Sequence, residues 1–349
     1  MKNEIIIRDR KIGDNQPVYI IAEMSANHNQ DFEQAVKVIH AAKKAGADAV
    51  KLQTYTPDTI TIDCDNDYFR IEGTVWEGKT LYELYGEAYT PWEWQPKLKK
   101  IANDLGMDLF STPFDHTAVD FLEKMDVPAY KVASFELVDI PLLRKIAQTG
   151  KPIIMSTGMA TLAEIDEAVS AIRKASGNQL ALLKCTSAYP APPEEMSLRT
   201  IPHLAEAFNV PTGLSDHTLG IAVPVAAVAL GACIIEKHFT LSRDIPGPDS
   251  AFSLEPNEFK EMVDAIRTAE KALGKISYGI TVKEKASHIY RRSLFVVKDI
   301  KKSEEFTEKN IRSIRPGDGL SPKYIEEILG KKATSNIEKG TPLSWDLIK

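Results

Sequence analysis

Eight short apolar runs in this chain each stop at residues able to do chemistry, and that repetition constrains the fold more than any other feature. VYIIAE ends at Glu23, with Asn27 and His28 close behind. DAVKLQTY carries Lys51, Gln53 and Tyr55, DLFSTPF carries Ser111 and Thr112, and AYKVASFE carries Lys131, Ser134 and Glu136. PIIMSTG ends in Ser156 and Thr157, and LALLKCTSAYP holds Lys184, Ser187 and Tyr189. GLSDHT ends in Ser215, Asp216 and His217, and ACIIEKHF holds Glu236, Lys237 and His238. Runs rich in Val, Ile and Leu that alternate with helical patterns imply parallel strands covered on the outside. In a (β/α)8 TIM barrel the C-terminal strand ends converge on one mouth, so residues remote in sequence share one site. An open doubly wound sheet is the runner-up, but it gathers its ligands at one switch point, whereas here every strand end is polar.

The helical patterns are legible between the runs. In DFEQAVKVIHAAKKAG, Ala35, Val38, Ile39 and Ala42 share a face, and Gly46 is a natural stop. TPWEWQPKLKKIANDLG reads as a helix opening at a Thr cap with Pro in its first turn. TLAEIDEAVSAIRKASG begins with the capping-box pair Thr161 and Glu164. IAVPVAAVALG is apolar nearly all round and is expected to be well buried. The aromatic, charged stretch from about Asn66 to Tyr89 is too long for a simple strand–helix connection; it either shapes a site at the mouth or is decoration. The barrel is expected over 1–275 and a polar linker with a helical stretch over 276–290. A small domain of few strands and many turns should occupy 291–349.

Composition narrows the function. A net charge of −6 argues against general nucleic-acid binding. No apolar stretch reaches the roughly 20 residues needed to span a bilayer, and MKNEIIIRDRKIG has neither the apolar core nor the cleavage site of a signal peptide. Three cysteines without a CxxC pair fit a reducing compartment, so the expected location is cytoplasmic. Cys185 and Cys233 read as small core residues.

His217 and His238 lie at or beside the ends of adjacent strands about 4.8 Å apart, so both imidazoles can reach one divalent ion. The bland alternative is two unrelated core histidines. Lys51, Lys131, Lys184 and Lys237 sit within or beside apolar strands, where a lysine needs an anion or carboxylate partner. Pointing to one mouth they would make a strongly positive pocket suited to phosphate and carboxylate; alternatively one or two pair with Glu23, Glu136 or Glu236. Glu23 or Glu136 could act as general base or position a metal-bound water. Asn27, Gln53, Thr112, Ser134, Ser156, Ser187, Tyr189 and Ser215 offer neutral hydrogen bonds of the kind a phosphorylated or polyhydroxylated ligand needs. Arg315, in the turn-forming RPGDG, is a solvated charge or a finger reaching a ligand. No P-loop, strand-linked GxGxxG or GxSxG occurs.

AEMSANH, KLQTYTPD, STPF, YKVASFE, STGMAT, KCTSAYPAP, GLSDHT, IEKHFT and PGPDSAFSL stand in the order found in the sialic acid synthases, and RRSLF and RPGDG resemble their antifreeze-like (SAF) domain. The resemblance spans essentially the whole chain. Within the family, AEMSANH, LYELYGEAYTPWEW and KCTSAYP most resemble the pseudaminate branch. Ser187 replaces the Asn that the neuraminate branch carries, which puts N-acetylmannosamine in doubt as the substrate. The resemblance implies a condensation of phosphoenolpyruvate with an N-acetylated amino-sugar aldehyde, specifically 2,4-diacetamido-2,4,6-trideoxy-L-altrose. His217 and His238 would bind Mn2+ or Mg2+. Lys51, Thr112, Lys131, Ser134, Ser156 and Ser187 would line the phosphoenolpyruvate side, Gln53, Tyr189 and Asp249 the sugar side, and Glu23 would position or deprotonate the metal-bound water. It also implies a domain-swapped homodimer in which Arg315 of one subunit reaches the other's barrel. The alternatives are a neuraminate or legionaminate synthase, a metal-dependent aldolase using pyruvate, and an inactive sugar-binding barrel.

Overall fold

A computed structural model describes residues 4–349; the first three residues of the stretch read above for a leader lie outside it. β1 (Glu4–Ile7) and β2 (Arg10–Gly13) form an antiparallel hairpin, Glu4 opposite Gly13. The eight apolar runs then supply β3 (Tyr19–Glu23), β4 (Ala49–Thr54), β5 (Asp108–Pro113), β6 (Tyr130–Val132), β7 (Ile153–Ser156), β8 (Leu180–Cys185), β9 (Thr212–Asp216) and β10 (Ile234–His238). They pair in parallel, each with the next, and β10 closes on β3 with Ile234 opposite Tyr19 and His238 opposite Glu23. This is the (β/α)8 barrel.

Helices cover the outside: α1 (Phe32–Ala45), α4 (Gln95–Asp104), α5 (His116–Lys124), α6 (Ile140–Gln148), α7 (Leu162–Lys174), α8 (Thr200–Phe208), α9 (Ala222–Ala229) and α10 (Pro256–Leu273). Two further helices, α2 (Pro57–Ile60) and α3 (Leu81–Ala88), belong to a long excursion between β4 and α4. The Asp31 side chain caps α1 by accepting from the Glu33 and Gln34 amides, and the helix ends at Gly46, whose φ of 95° is left-handed. The capping box of Thr161 and Glu164 opens α7.

Two helix expectations are corrected. The TPWEW stretch first makes a single 3-10 turn (Trp92–Trp94), and α4 starts only at Gln95. Thr90 is no cap: it is buried, with its hydroxyl against His28 Nε2 at 3.1 Å. α9 is not well buried; Pro224, Ala227 and Val228 face the barrel while Ala222, Ala226 and Ala229 are exposed. One short helix on a barrel has only one side to bury.

Along each strand, side chains alternate between barrel interior and helix layer. Tyr19 and Ile21 of β3 join one core with Ile5, Ile7 and Ile12 of the hairpin, while Ile20 and Ala22 join another with α1, α4 and α10.

The chain divides into two compact units, Met1–Gly274 and Lys275–Lys349. The second contains a short helix, α11 (Lys285–His288), and an antiparallel pair, β11 (Ser293–Val296) with β12 (Ile311–Ile314). Leu294, Val296, Ile300, Phe306, Ile311 and Leu343 form its core. Among the described residues no helix is long and apolar enough to cross a membrane.

Candidate active site

At the C-terminal end of the barrel the interior-facing rows become charged. Lys51 Nζ lies 2.9 Å from Glu23 and 3.5 Å from Glu236, and Lys131 Nζ lies 3.8 Å from Glu236. Lys51 also donates to Thr112 Oγ1 (3.3 Å), and Lys131 to Ser156 Oγ (2.7 Å). Ser215 Oγ donates to Glu236 (3.1 Å), and Gln53 Nε2 bonds both Glu23 (3.1 Å) and Ser25 Oγ (2.9 Å). All four charged groups are buried. Burial raises the Glu23 carboxyl to about 7; Lys51 opposes that rise and Glu236 adds to it. Burial would raise Glu236 as well, but Lys131 and Lys51 outweigh it and hold Glu236 below its ordinary value. Two neighbouring carboxyls are thus pushed apart, one fixed as an anion and one able to exchange a proton near neutrality.

The four-lysine expectation is corrected here. Only Lys51 and Lys131 point inward. Lys237 is fully buried on the other face of β10, 2.5 Å from Asp216 and in contact with the Thr218 carbonyl. Lys184 turns from the face that carries Cys185 and donates to the Cys185 carbonyl (2.7 Å) and Thr186 Oγ1 (3.3 Å). Lys51 and Lys131 pair with Glu23 and Glu236, as the alternative reading has it, so the mouth is not the strongly positive pocket that four inward lysines would make. Glu236, expected only as a possible lysine partner, is the hub of the cluster. The signal was available, because it stands two residues before His238 and therefore on the same strand face.

The His217 and His238 rings face each other at 5.4 Å between centroids. His217 Nδ1 lies 2.9 Å from the Thr186 carbonyl, which makes it the donor and leaves Nε2 with a free lone pair. His238 Nδ1 is buried with no hydrogen-bond partner, and burial holds this ring well below its ordinary pKa, hence neutral. Burial would lower His217, but the Cys185 thiol and the Thr186 carbonyl outweigh it and raise this ring above its ordinary value. Once His217 gives up its extra proton, the two neighbouring imidazoles fit a divalent ion whose remaining positions come from water or substrate oxygen. Among the described residues no third His, Cys, Asp or Glu joins them to make a larger ligand cluster.

A cavity of about 490 Å³ opens beside His238. Gln53, Glu136, Tyr189, His238 and Asp249 line it. Tyr189 packs 4.4 Å from the His217 ring. Asp249 accepts from the Ala26 amide (3.4 Å). Glu136, on the 3-10 turn after β6, has one buried oxygen without a partner, and burial lifts it to about 7 despite nearby Lys131. Ser134 Oγ accepts from the Gly158 amide (3.0 Å). A Cβ at Gly158 would meet Ser187 Oγ at 2.4 Å and Ser134 Oγ at 2.7 Å, so only glycine lets the β7 end enter between the two hydroxyls. Cys185 Sγ lies 3.8 Å from Ser187 Oγ.

Asn27 is not in the cavity wall: its amide donates to the Phe239 carbonyl and Ser253 Oγ, bracing the loop after β3. His28 packs edge-on against Trp94 inside the protein. Arg315 is an exposed residue of the second unit, in a turn fixed by Ser293 Oγ donating to the Pro316 carbonyl (2.7 Å).

Comparison with known proteins agrees with this geometry. Residues 38–278 match the NeuB family and residues 291–349 the SAF domain. The chain is 48% identical to the pseudaminic acid synthase of Helicobacter pylori, over 96% of this chain and 98% of that one. It is 37% identical to the N,N'-diacetyllegionaminic acid synthase of Legionella pneumophila, over 97% of this chain and 96% of that one. Among solved structures, the N-acetylneuraminic acid synthetase of Leptospira borgpetersenii superposes with a TM-score of 0.73 at 34% identity, covering 82% of this chain and 95% of that one.

Proposed function

The chain belongs to the NeuB family and ends in a SAF domain, and from that premise we propose that it condenses phosphoenolpyruvate with 2,4-diacetamido-2,4,6-trideoxy-L-altrose to give pseudaminic acid and phosphate. The broader class is a phosphoenolpyruvate-dependent nonulosonic acid synthase. The observation that carries the reading is the buried array of Lys51, Lys131, Glu23 and Glu236 together with the His217 and His238 pair, with His238 and the Glu23 partner Gln53 lining the cavity. The pseudaminate assignment within the class is supported by the relatives at 48–49% identity, against 37–40% for the legionaminate synthases.

Lys51 and Lys131, with the Thr112 and Ser156 hydroxyls they hold, bind the carboxylate and phosphate of the donor in a site preorganised for negative charge. Ser134, Ser187 and the Gly158 approach complete that side. Gln53, Tyr189 and Asp249 orient the open-chain sugar. C-3 of phosphoenolpyruvate then forms a bond to the aldehyde carbon, whose oxygen takes a proton, and C-2 is left as a cationic centre. Water adds to C-2, and its proton passes to a carboxylate; Glu23, poised near neutrality, is placed to take it. The tetrahedral intermediate loses phosphate by cleavage of its C–O bond. His217 and His238 would hold Mn2+ or Mg2+, which supplies Lewis-acid polarisation of the aldehyde.

The test is direct. With Mn2+, phosphoenolpyruvate and a panel of N-acetylated sugars, the protein should release phosphate and a nonulosonate fastest with the trideoxy-altrose. An 18O label in the bridging oxygen of phosphoenolpyruvate should leave with the phosphate. Label retained in the sugar acid, or no phosphate with any sugar, would defeat the reading.

A further inference from the structure

The lining of the cavity is of two kinds. Gln53, Glu136 and Asp249 make up the polar kind. The other comes from the excursion between β4 and α4, which contributes Ile71, Trp76, Leu84 and Tyr85. This segment is a built wall. Arg70 and Thr80 bridge its two limbs, and the Ile71 amide donates to the Lys79 carbonyl (2.9 Å). Thr80 and Glu83 then form a capping box that starts α3. Trp76 ties the wall down: its indole N–H donates to the Pro248 carbonyl (2.8 Å), and its ring lies 5.6 Å from Tyr189. Tyr85 packs edge-on to Tyr55, which in turn meets Phe114.

We propose that this wall is the acceptor filter of the enzyme. It takes the end of the sugar that carries methyl groups, a deoxygenated terminal carbon and an acetyl cap, and it rejects a chain that carries hydroxyls there. The inference deepens the reaction proposed above and rests on it for the sugar class. A hydroxyl set among Ile71, Leu84 and Trp76 finds few free partners, because the Trp76 indole N–H is held by the Pro248 carbonyl and the Thr74 hydroxyl already accepts from the Trp76 amide, whereas a methyl loses only water. A hydrophobic pocket rejects an analogue that merely adds a hydroxyl by about 100-fold at most. The polar wall is left to bind the aldehyde end, which places the reacting carbon on the side of His238.

The experiment compares two acceptors, 2,4-diacetamido-2,4,6-trideoxy-L-altrose and its 6-hydroxy counterpart, in the wild type, Ile71→Thr and Trp76→Ala. Ile71→Thr should lower kcat/KM for the deoxy acceptor about ten-fold and narrow the ratio between the two, while the KM for phosphoenolpyruvate and the melting temperature hold. Trp76→Ala should narrow the ratio further. An unchanged ratio, or equal losses for both acceptors, overturns the filter. Binding of each sugar alone, followed by saturation-transfer NMR, separates this inference from the reaction. A wild type that turns over neither sugar yet prefers the deoxy one, with the preference erased in Ile71→Thr, keeps the filter and sinks the reaction. Equal binding of both sugars sinks the filter itself.

Discussion

Glu136 shows what a site residue costs its fold. One carboxyl oxygen is buried without a hydrogen-bond partner, and burial raises the group from 4.5 to about 7. A raised acid binds its proton more tightly in the folded chain than in the unfolded one. Its contribution to stability is therefore complete below about 4.5 and is lost as pH rises through about 7. Glu136→Gln should raise the melting temperature by about 1–3 °C at pH 8 and leave it nearly unchanged at pH 4.5, read by calorimetry at both values. The same variant should lose activity, because the carboxylate lines the cavity. An equal thermal gain at the two pH values would mean that the charge is not what strains the site. From the sequence, Glu136 was visible as a strand-end carboxylate, but its isolation was not, since lack of a partner depends on what other strands place around it.

Strands 9 and 10 carry the site on one face and hold it in place from the other. Asp216 and Lys237 are fully buried neighbours across the ladder, and each directly precedes one of the paired imidazoles. Asp216 also accepts from the Thr218 amide (3.0 Å), which fixes the turn that presents His217. Removing one partner strands a buried charge, so Lys237→Met should cost about 3–5 kcal/mol in urea unfolding, and the double change Asp216→Leu with Lys237→Met should recover most of it. Isothermal titration with Mn2+ should still find the double variant weaker than the wild type, because the imidazoles lose their brace. A double variant as unstable as the single would show that packing, not charge, sets the cost. This pair also marks the limit of the sequence at the scale of elements. The eight strand ends and their polar residues were legible because each apolar run stops where the barrel opens. Which face each residue takes was not, because strands buried on both sides show no alternation to count. Hence the sequence leaves Lys237 and Lys184 as candidates for the mouth and Glu236 only as a possible lysine partner. The stretch from Asn66 to Tyr89 announces itself only by length and aromatic content; its place at the cavity rests on a local bridge between Arg70 and Thr80 and on an indole contact from Trp76 to Pro248, far away in sequence.

Each of the two units has its own core and leaves apolar side chains in water. In the second, Ile276, Tyr278 and Val282 are 91%, 99% and 84% exposed. In the first, Phe135, Met159 and Leu219, all just beyond the C-terminal ends of strands, are 58%, 63% and 61% exposed. The swapped homodimer that the family resemblance implies would cover such side chains, with the SAF unit of one subunit over the barrel mouth of the other. Closure of that kind would keep bulk water from the proposed cationic centre and would bring the exposed guanidinium of Arg315 to an anionic donor. The arrangement makes a sharp demand on mixed subunits. Arg315→Ala alone and His238→Ala alone should each be nearly inactive. When the two are unfolded, mixed and refolded together, heterodimers carry one site with both residues intact, so about a quarter of wild-type activity should return if subunits pair at random. Size-exclusion chromatography with one tagged subunit verifies that heterodimers form. Proven heterodimers with no recovered activity would mean that Arg315 serves its own barrel or none, and the exposed linker side chains would then need another partner.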